Sequence, residues 1–419
     1  MTTPGQGRRV AVTGMGVISP VGNDIGAAWD SLVNGRSAIG PLSRFDASPY
    51  RCYAGQVHDF DPATVMTPKD VRRTDRAVQF GVAAARQAVA DAGLEINEAN
   101  ADDVGVVFGC AGFGQSLVIQ SAWALHQRGP RAVNPFHTVN GLVDAPAAWI
   151  AIQTGARGFN AALVASCATG THNVAEGAAL IRCGDVRAVI AGSTEAPLEP
   201  HVYAGFSSLR ALGSPRPGRS DSDACRPFDR SRNGFALAEG ACALILEELE
   251  SAKARRARIY AEVVGSGATA DAFDMIAPAP HGEGSARAMR LALERARVAA
   301  SDVDMINPHG SSTRLGDQSE AAAIHAVFGG HARDVPISAT KSMTGHMMGA
   351  TGAFEAFASV MSVHHGLIPP TLNYLEPDPD CGLTVVTEPT PRRMRYVLSN
   401  SLGLGGHNSA LLVAKYDGD

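Results

Sequence analysis

The chain has 419 residues, 45% of them hydrophobic and 18% charged, with a formal net charge of −5. That length supports a large core organised as two domains or one duplicated unit, and the charge gives no general attraction to nucleic acid or anionic lipid. No apolar run approaches the roughly 18 residues of a membrane span, and MTTPGQGRRVAVTG has no signal-peptide apolar core. Seven cysteines without paired spacing argue against a disulfide framework and a zinc site. The expectation is a cytoplasmic protein without metal or cofactor.

In chain order, RVAVTG reads as a strand and DRAVQFGVAAARQAVADAG as a helix over about residues 75–93, followed by VGVVFG, a strand ending in a glycine-rich loop. FNAALVAS then reads as a strand and THNVAEGAALIRCG as a helix. RAVIAG and ACALILEE are short apolar runs typical of strands buried on both faces. Strands alternating with helices predict an α/β protein with parallel or mixed sheets covered by helices.

The second half echoes the first. RAMRLALERARVAASDVDMINPHGSS repeats the helix, loop, strand and turn of residues 75–112. TKSMTGHMMGATGAFEAFASVMSVHHG matches SCATGTHNVAEGAALIRCGD in the same order, which favours a duplicated fold with halves 1–256 and 257–419. Helices this rich in Gly and Ala can approach closely and are expected in the middle of the structure. SNSLGLGGHNSALLVA closes the chain as strand, glycine-rich turn and strand.

Cys167 lies where a predicted strand meets a helix. The positive helix end there lowers a thiol pKa, and its free N–H groups can stabilise an oxyanion. An isolated cysteine is nevertheless more often a small buried hydrophobe, the reading given to Cys52, Cys110, Cys183, Cys225, Cys242 and Cys381. Partners distinguish Cys167. His309 stands just beyond a strand ahead of Ser311, Ser312 and Thr313, and Lys341 precedes His346 by five residues at a helix start. Open sites gather at such element ends in α/β folds.

SCATGTH, NPHGSSTRLGD, TKSMTGHMMGATG and SNSLGLGGHN together resemble the motif set of elongating β-ketoacyl-acyl carrier protein synthases of the synthase II type. The likeness extends through VAVTGMGVISPVGND and RPFDRSRNGFALAEGACALILEELESAKARRARIYAEVVG, almost end to end. It implies a thiolase-like duplicated fold in five αβαβα layers, normally dimeric. It also implies an acyltransferase in which Cys167 carries the acyl chain, while His309 and His346 stabilise the enolate left when a malonyl extender loses carbon dioxide. By the same resemblance, Cys167 and Leu404 supply the N–H groups of an oxyanion hole. Lys341 orders the histidines with Glu320 near it, and Ser311 and Thr313 hold the phosphopantetheine arm. The implied partner is an acyl carrier protein bearing acyl and malonyl groups. Assembly is implied as a homodimer or as a heterodimer with a chain-length-factor-like subunit.

Relatives with other chemistry fit less well. A thiolase needs a second catalytic cysteine, which SLGLGGHN lacks, an initiating synthase III pairs cysteine with histidine and asparagine, and a chain-length factor lacks the nucleophile. A non-catalytic carrier-binding scaffold is the alternative from another class; the intact Cys167, His309, His346 and Lys341 set argues against it.

Some positions depart from the family pattern. Leu402 and Leu404 stand where two phenylalanines are usual, and Gly112 where a bulky aliphatic residue often gates the acyl pocket. His137 occupies an often aromatic place in a segment that normally crosses the dimer interface. Ile276 replaces a common pantetheine-contacting threonine, and Phe206 belongs to the expected acyl pocket. These changes are either compensated drift, with Phe113 refilling the space beside Gly112, or a pocket reshaped for a bulkier, longer, unsaturated or partly polar chain of a type II polyketide pathway. Lys69, Arg72, Arg73, Arg131 and Arg210 match docking positions for an acidic carrier, although a solvated helix face accounts for Lys69 and Arg72 almost as well.

Overall fold

The computed structural model describes residues 7–47, 50 and 53–418. Its main sheet comprises β1 (Val10–Ile18), β2 (Val104–Cys110), β3 (Asn160–Ala161), β4 (Ala188–Glu195), β5 (Gly240–Glu248), β6 (Ala261–Ala270), β7 (Met305–Asn307), β8 (Pro336–Ile337), β9 (Thr384–Val385), β10 (Tyr396–Gly403) and β11 (His407–Lys415). The order is β9-β8-β7-β10-β11-β6-β1-β5-β4-β2-β3. Outward from the middle, β1-β5-β4-β2-β3 mirrors β6-β11-β10-β7-β8, with the same sequence of antiparallel and parallel pairings. Only two residue pairs, Ala11 with Glu262 and Val12 with Ala261, join the halves through β1 and β6.

The strands β1, β2 and β4 are buried at every position, which accounts for their unbroken apolar runs. Helix α1 (Arg76–Ala92) covers β1 and β5 from outside, and α3 (Glu283–Ala296) covers β6 and β11 in the same way. Between the half-sheets lie α2 (Thr169–Cys183) and α5 (Thr351–His365), each touching strands of both halves. The helix α4 (Arg314–Phe328) backs α3. This is the layered αβαβα arrangement of a thiolase-like fold.

The central helices reveal the duplication most closely. Each has 15 residues, begins at the Thr of an Ala-Thr-Gly triplet, and ends at a left-handed glycine, Gly184 or Gly366. Three residues before each helix the backbone is left-handed at a side-chain-bearing residue: Ser166 (φ 51°) and Met348 (φ 48°). The matching triplets are therefore 168–170 and 350–352.

Small residues let these helices meet. A Cβ on Gly170 would lie 2.3 Å from the Ala353 nitrogen, and one on Gly352 would lie 2.6 Å from the Thr171 nitrogen. The Thr171 and Ser401 hydroxyls, 2.7 Å apart, tie α2 to β10 beside this contact.

The structure departs from two expectations. FNAALVAS is strand only at Asn160–Ala161; it lies at the outer edge of the sheet, with Leu163 and Val164 exposed on this chain and, among the described residues, no second neighbour to extend the ladder. Cys183 is exposed because it falls in the last turn of α2, whereas Cys110, Cys225, Cys242 and Cys381 are buried. Cys52 lies outside the described residues.

Gly170→Ala and Gly352→Ala should each destabilise the protein by about 1–3 kcal/mol, the cost of overpacking a tight core. Chemical denaturation of both variants measures this. Wild-type stability in either would show that the helices can separate.

Candidate active site

A cavity of about 560 Å³ is lined by Cys167, His309 and His346 together with the 402–404 turn, although the four are distant in sequence. Cys167 sits in the single turn Ser166–Ala168 that leads into α2, and is 5% exposed. Burial pushes its thiol up to about 11, against the opposing pull of the Ser166 hydroxyl, the Lys341 charge and the Leu404 N–H. This reverses the expected lowering of the thiol pKa. A helix end contributes at most about 2 kcal/mol, equivalent to about 1.5 in pKa, and here burial outweighs the groups that favour the thiolate.

The two imidazoles meet edge to face, with centroids 5.3 Å apart. Burial holds both far below the usual histidine range, assisted by the Lys341 charge, so both are neutral at neutral pH. The ammonium of Lys341 lies 3.4 Å from His309 Nδ1, donates also to the His309 carbonyl, and pairs with Glu355 at 2.6 Å. An ammonium has three donors and no acceptor, so His309 Nδ1 must accept and the ring proton resides on Nε2. His346 Nδ1 stands 3.0 Å from the Thr351 hydroxyl, which can donate to it and leave the same tautomer. Phe235 packs edge-on against His346 at 5.1 Å.

Glu320 acts one step further back. Its carboxylate accepts from the His309 N–H at 2.7 Å and the Gly310 N–H at 2.8 Å, fixing the backbone that carries the imidazole. The direct partner of Lys341 is Glu355, which the sequence reasoning missed. The available signal was a single carboxylate inside the apolar helix GAFEAFASV. Burial raises both Glu320 and Glu355 to about 7, opposed by the Lys341 charge.

Further out, Ser311 and Thr313 line the cavity with their hydroxyls 2.8 Å apart. Their turn is held from behind by Arg232, another residue missed, which pairs with Asp317 (3.2 Å) and Asp378 (2.6 Å) and donates to the Thr313 and Arg314 carbonyls.

Sequence profiles for the β-ketoacyl synthase N-terminal domain and C-terminal domain match residues 7–252 and 260–375. The chain belongs to the β-ketoacyl synthase family. It is 42% identical over 414 residues to the 3-oxoacyl-[acyl-carrier-protein] synthase 2 of Staphylococcus aureus strain COL, covering 98% of this chain and 99% of that one. The Coxiella burnetii enzyme of the same name is 42% identical over 412 residues, at 97% and 99% coverage. Among solved structures, the ishigamide ketosynthase/chain length factor superposes with a TM-score of 0.90 at 36% identity. A type II PKS acyl-carrier protein in complex with its ketosynthase bound to the hexaketide gives 0.90 at 30%. Both alignments cover 98% of this chain and all of the other.

Within this β-ketoacyl synthase, Phe206, Ile276, Leu402 and Leu404 line the same cavity as Cys167. Gly112 does not. It adopts a left-handed conformation (φ 84°), and a Cβ there would meet Val143 at 2.9 Å and Gln115 at 3.0 Å, so no gap opens into the cavity. Phe113 instead packs on Phe206, 5.6 Å between centroids. His137 is also outside the cavity, its Nδ1 2.8 Å from the Asn134 carbonyl. Of the basic residues, Arg210 reaches the cavity, whereas Lys69, Arg72, Arg73 and Arg131 stand away from it. Arg73 stacks on Phe136 at 4.3 Å, and Lys69, Arg72 and Arg131 are exposed.

Alkylation of Cys167 by iodoacetamide should accelerate about tenfold per pH unit between pH 7 and 10, since a thiol of pKa about 11 is mostly protonated throughout. Peptide mass spectrometry follows the rate. A plateau already at pH 8 would place the thiol pKa below that of free cysteine.

Proposed function

We propose that this β-ketoacyl synthase condenses a Cys167-bound acyl chain with malonyl-acyl carrier protein, with loss of carbon dioxide. The carrying observation is that Cys167, His309 and His346 line one cavity, with a buried Lys341 fixing the tautomer of His309.

In the first step the Cys167 sulfur attacks the carrier thioester, the carrier thiolate leaves, and the thiol proton ends on the departing carrier. The N–H groups of Cys167 and Leu404 serve as the oxyanion hole. In the second step the malonyl carboxylate departs as carbon dioxide, and its electron pair becomes an enolate. The Nε2–H groups of neutral His309 and His346 donate to that enolate oxygen. The enolate carbon attacks the acyl-cysteine, forming the new carbon–carbon bond and returning the electron pair to sulfur. Neutrality matters because an imidazole already drawn on by Lys341 at Nδ1 donates from Nε2 without itself having to lose a charge.

On this reading Ser311 and Thr313 hold the phosphopantetheine arm, and the halves 1–256 and 257–419 contribute the nucleophile and the histidines respectively. The partner is an acidic acyl carrier protein, met by Lys69, Arg72, Arg73, Arg131 and Arg210. Assembly is as a homodimer, or as a heterodimer with a chain-length-factor-like subunit, in the cytoplasm. Leu402 and Leu404 in place of aromatic side chains favour a bulky or unsaturated acyl chain of a type II polyketide pathway. No helix among the described residues is long and apolar enough to cross a membrane.

Intact-mass analysis after mixing with acyl carrier protein should show one acyl adduct on the wild type and none on Cys167→Ala. His309→Ala and His346→Ala should keep the adduct and lose malonyl decarboxylation by about 10²–10³-fold, the usual cost of an oxyanion donor. No adduct on the wild type would leave only the carrier-binding scaffold.

Reversing Arg72 and Arg73 to glutamate should raise KM for carrier-bound substrate most strongly at low salt, with kcat little changed. Unchanged kinetics at every salt concentration would remove both from the interface.

A further inference from the structure

A second concave site lies at the other end of the central helix α2. Cys167 precedes its first residue and Arg182 sits in its last turn, so a helix length of about 22 Å separates them. The cleft there has a volume of about 410 Å³, within the usual range for small-molecule sites. It is formed where the start of β1, the start of β6, the end of α3 and the end of β11 converge.

Its lining is unusually basic for a chain of net charge −5. Arg8, Arg182, Arg295, Arg297, Arg395 and Lys415 all face it, and none of them forms an ion pair among the described residues. Arg9 is paired with Glu262 at 2.6 Å, and Asp417 is the other carboxylate at the cleft. Basic residues in the last turn of a helix often do no more than offset its dipole. Two helix ends here supply roughly half a negative charge each. Together with Asp417 they leave an excess of about four positive charges, too many for that explanation.

The arginines also retain donors. Arg182 gives one N–H to the Val263 carbonyl at 2.6 Å, and Arg295 gives one to the Ser266 carbonyl at 2.9 Å, out of five per guanidinium. Burial and the like charge of Arg295 disfavour the charged form of Arg182, a penalty that a bound anion relieves. Arg8 lies over the glycine that ends α2, its guanidinium carbon 3.2 Å from where a Gly184 Cβ would be. A neighbouring hollow of about 400 Å³ shares Lys415 and adds Arg392 and Arg393 to the field.

We propose that this cleft binds a small polyphosphate-bearing anion. Guanidinium forks match phosphate oxygens in pairs, and the concave shape suits a compact ligand better than an extended surface partner. The site is independent of the chemistry assigned to Cys167.

Isothermal titration of the full chain with tripolyphosphate, in about 150 mM salt to screen non-specific attraction, tests it. ADP as a second probe separates a requirement for phosphate alone from acceptance of phosphate on an organic body. Saturable binding at one site per chain is expected. Arg295→Glu and Arg395→Glu, both at exposed positions, should each weaken it about tenfold. Arg72→Glu, which lies outside the cleft, should leave tripolyphosphate binding unchanged, and acylation of Cys167 should proceed normally in the two cleft variants. Absence of saturable tripolyphosphate binding, or equal affinity in the two cleft variants and the wild type, overturns the proposal.

Discussion

The site depends on how closely two helices approach. Gly170 and Gly352 let α2 and α5 touch backbone to backbone, and a methyl group at either position would strike a main-chain nitrogen within 2.6 Å. Cys167 stands three residues ahead of the first glycine and His346 six ahead of the second. Separation of the helices would therefore carry the Cys167 thiol away from the His346 imidazole. Packing density at a pair of glycines fixes a chemical distance.

A second constraint is electrostatic. Lys341 is completely buried and, among the described residues, has only Glu355 as a direct counter-charge, a costly arrangement unless every donor is used. All three are: they reach the Glu355 carboxylate, the His309 carbonyl and His309 Nδ1. The same ammonium disfavours protonation of both histidines and lowers the cost of a nearby thiolate. One cation thus biases three groups toward the states the proposed condensation requires.

Much of this was legible in the chain. Continuous apolar runs marked the doubly covered strands, and Gly- and Ala-rich helical stretches marked the central layer. Cys167, His309, Lys341 and His346 stood at element ends where sites form. What escaped the sequence was long-range pairing. Glu355 was hidden because nothing local links a carboxylate in α5 to a lysine fourteen residues earlier, and Arg232 because its partners Asp317 and Asp378 lie 85 and 146 positions away. The pKa of Cys167 was misjudged because the helix end is visible in sequence and the depth of burial is not. Gly112 left an opened pocket as one of two readings because sequence shows a missing side chain, not that Val143 and Gln115 already occupy its place.

The left-handed residue ahead of each central helix bears on how strain at the nucleophile is understood. Ser166 precedes Cys167, and such a conformation costs of order 1–3 kcal/mol. A cost of this kind beside the proposed nucleophile invites a catalytic explanation. Yet Met348 adopts the same conformation before Gly349, the position equivalent to Cys167 in the other half, which has no side chain to present. A Cβ on Gly349 would lie 2.7 Å from the Glu195 carboxylate and 2.8 Å from the Ala111 Cβ, so that position has no room for a nucleophile at all. The bend is a property of how the chain enters a central helix in this fold, present on the side without a thiol as on the side that carries one. The proposed chemistry uses one of two equivalent corners, and the backbone tension at both belongs to the architecture.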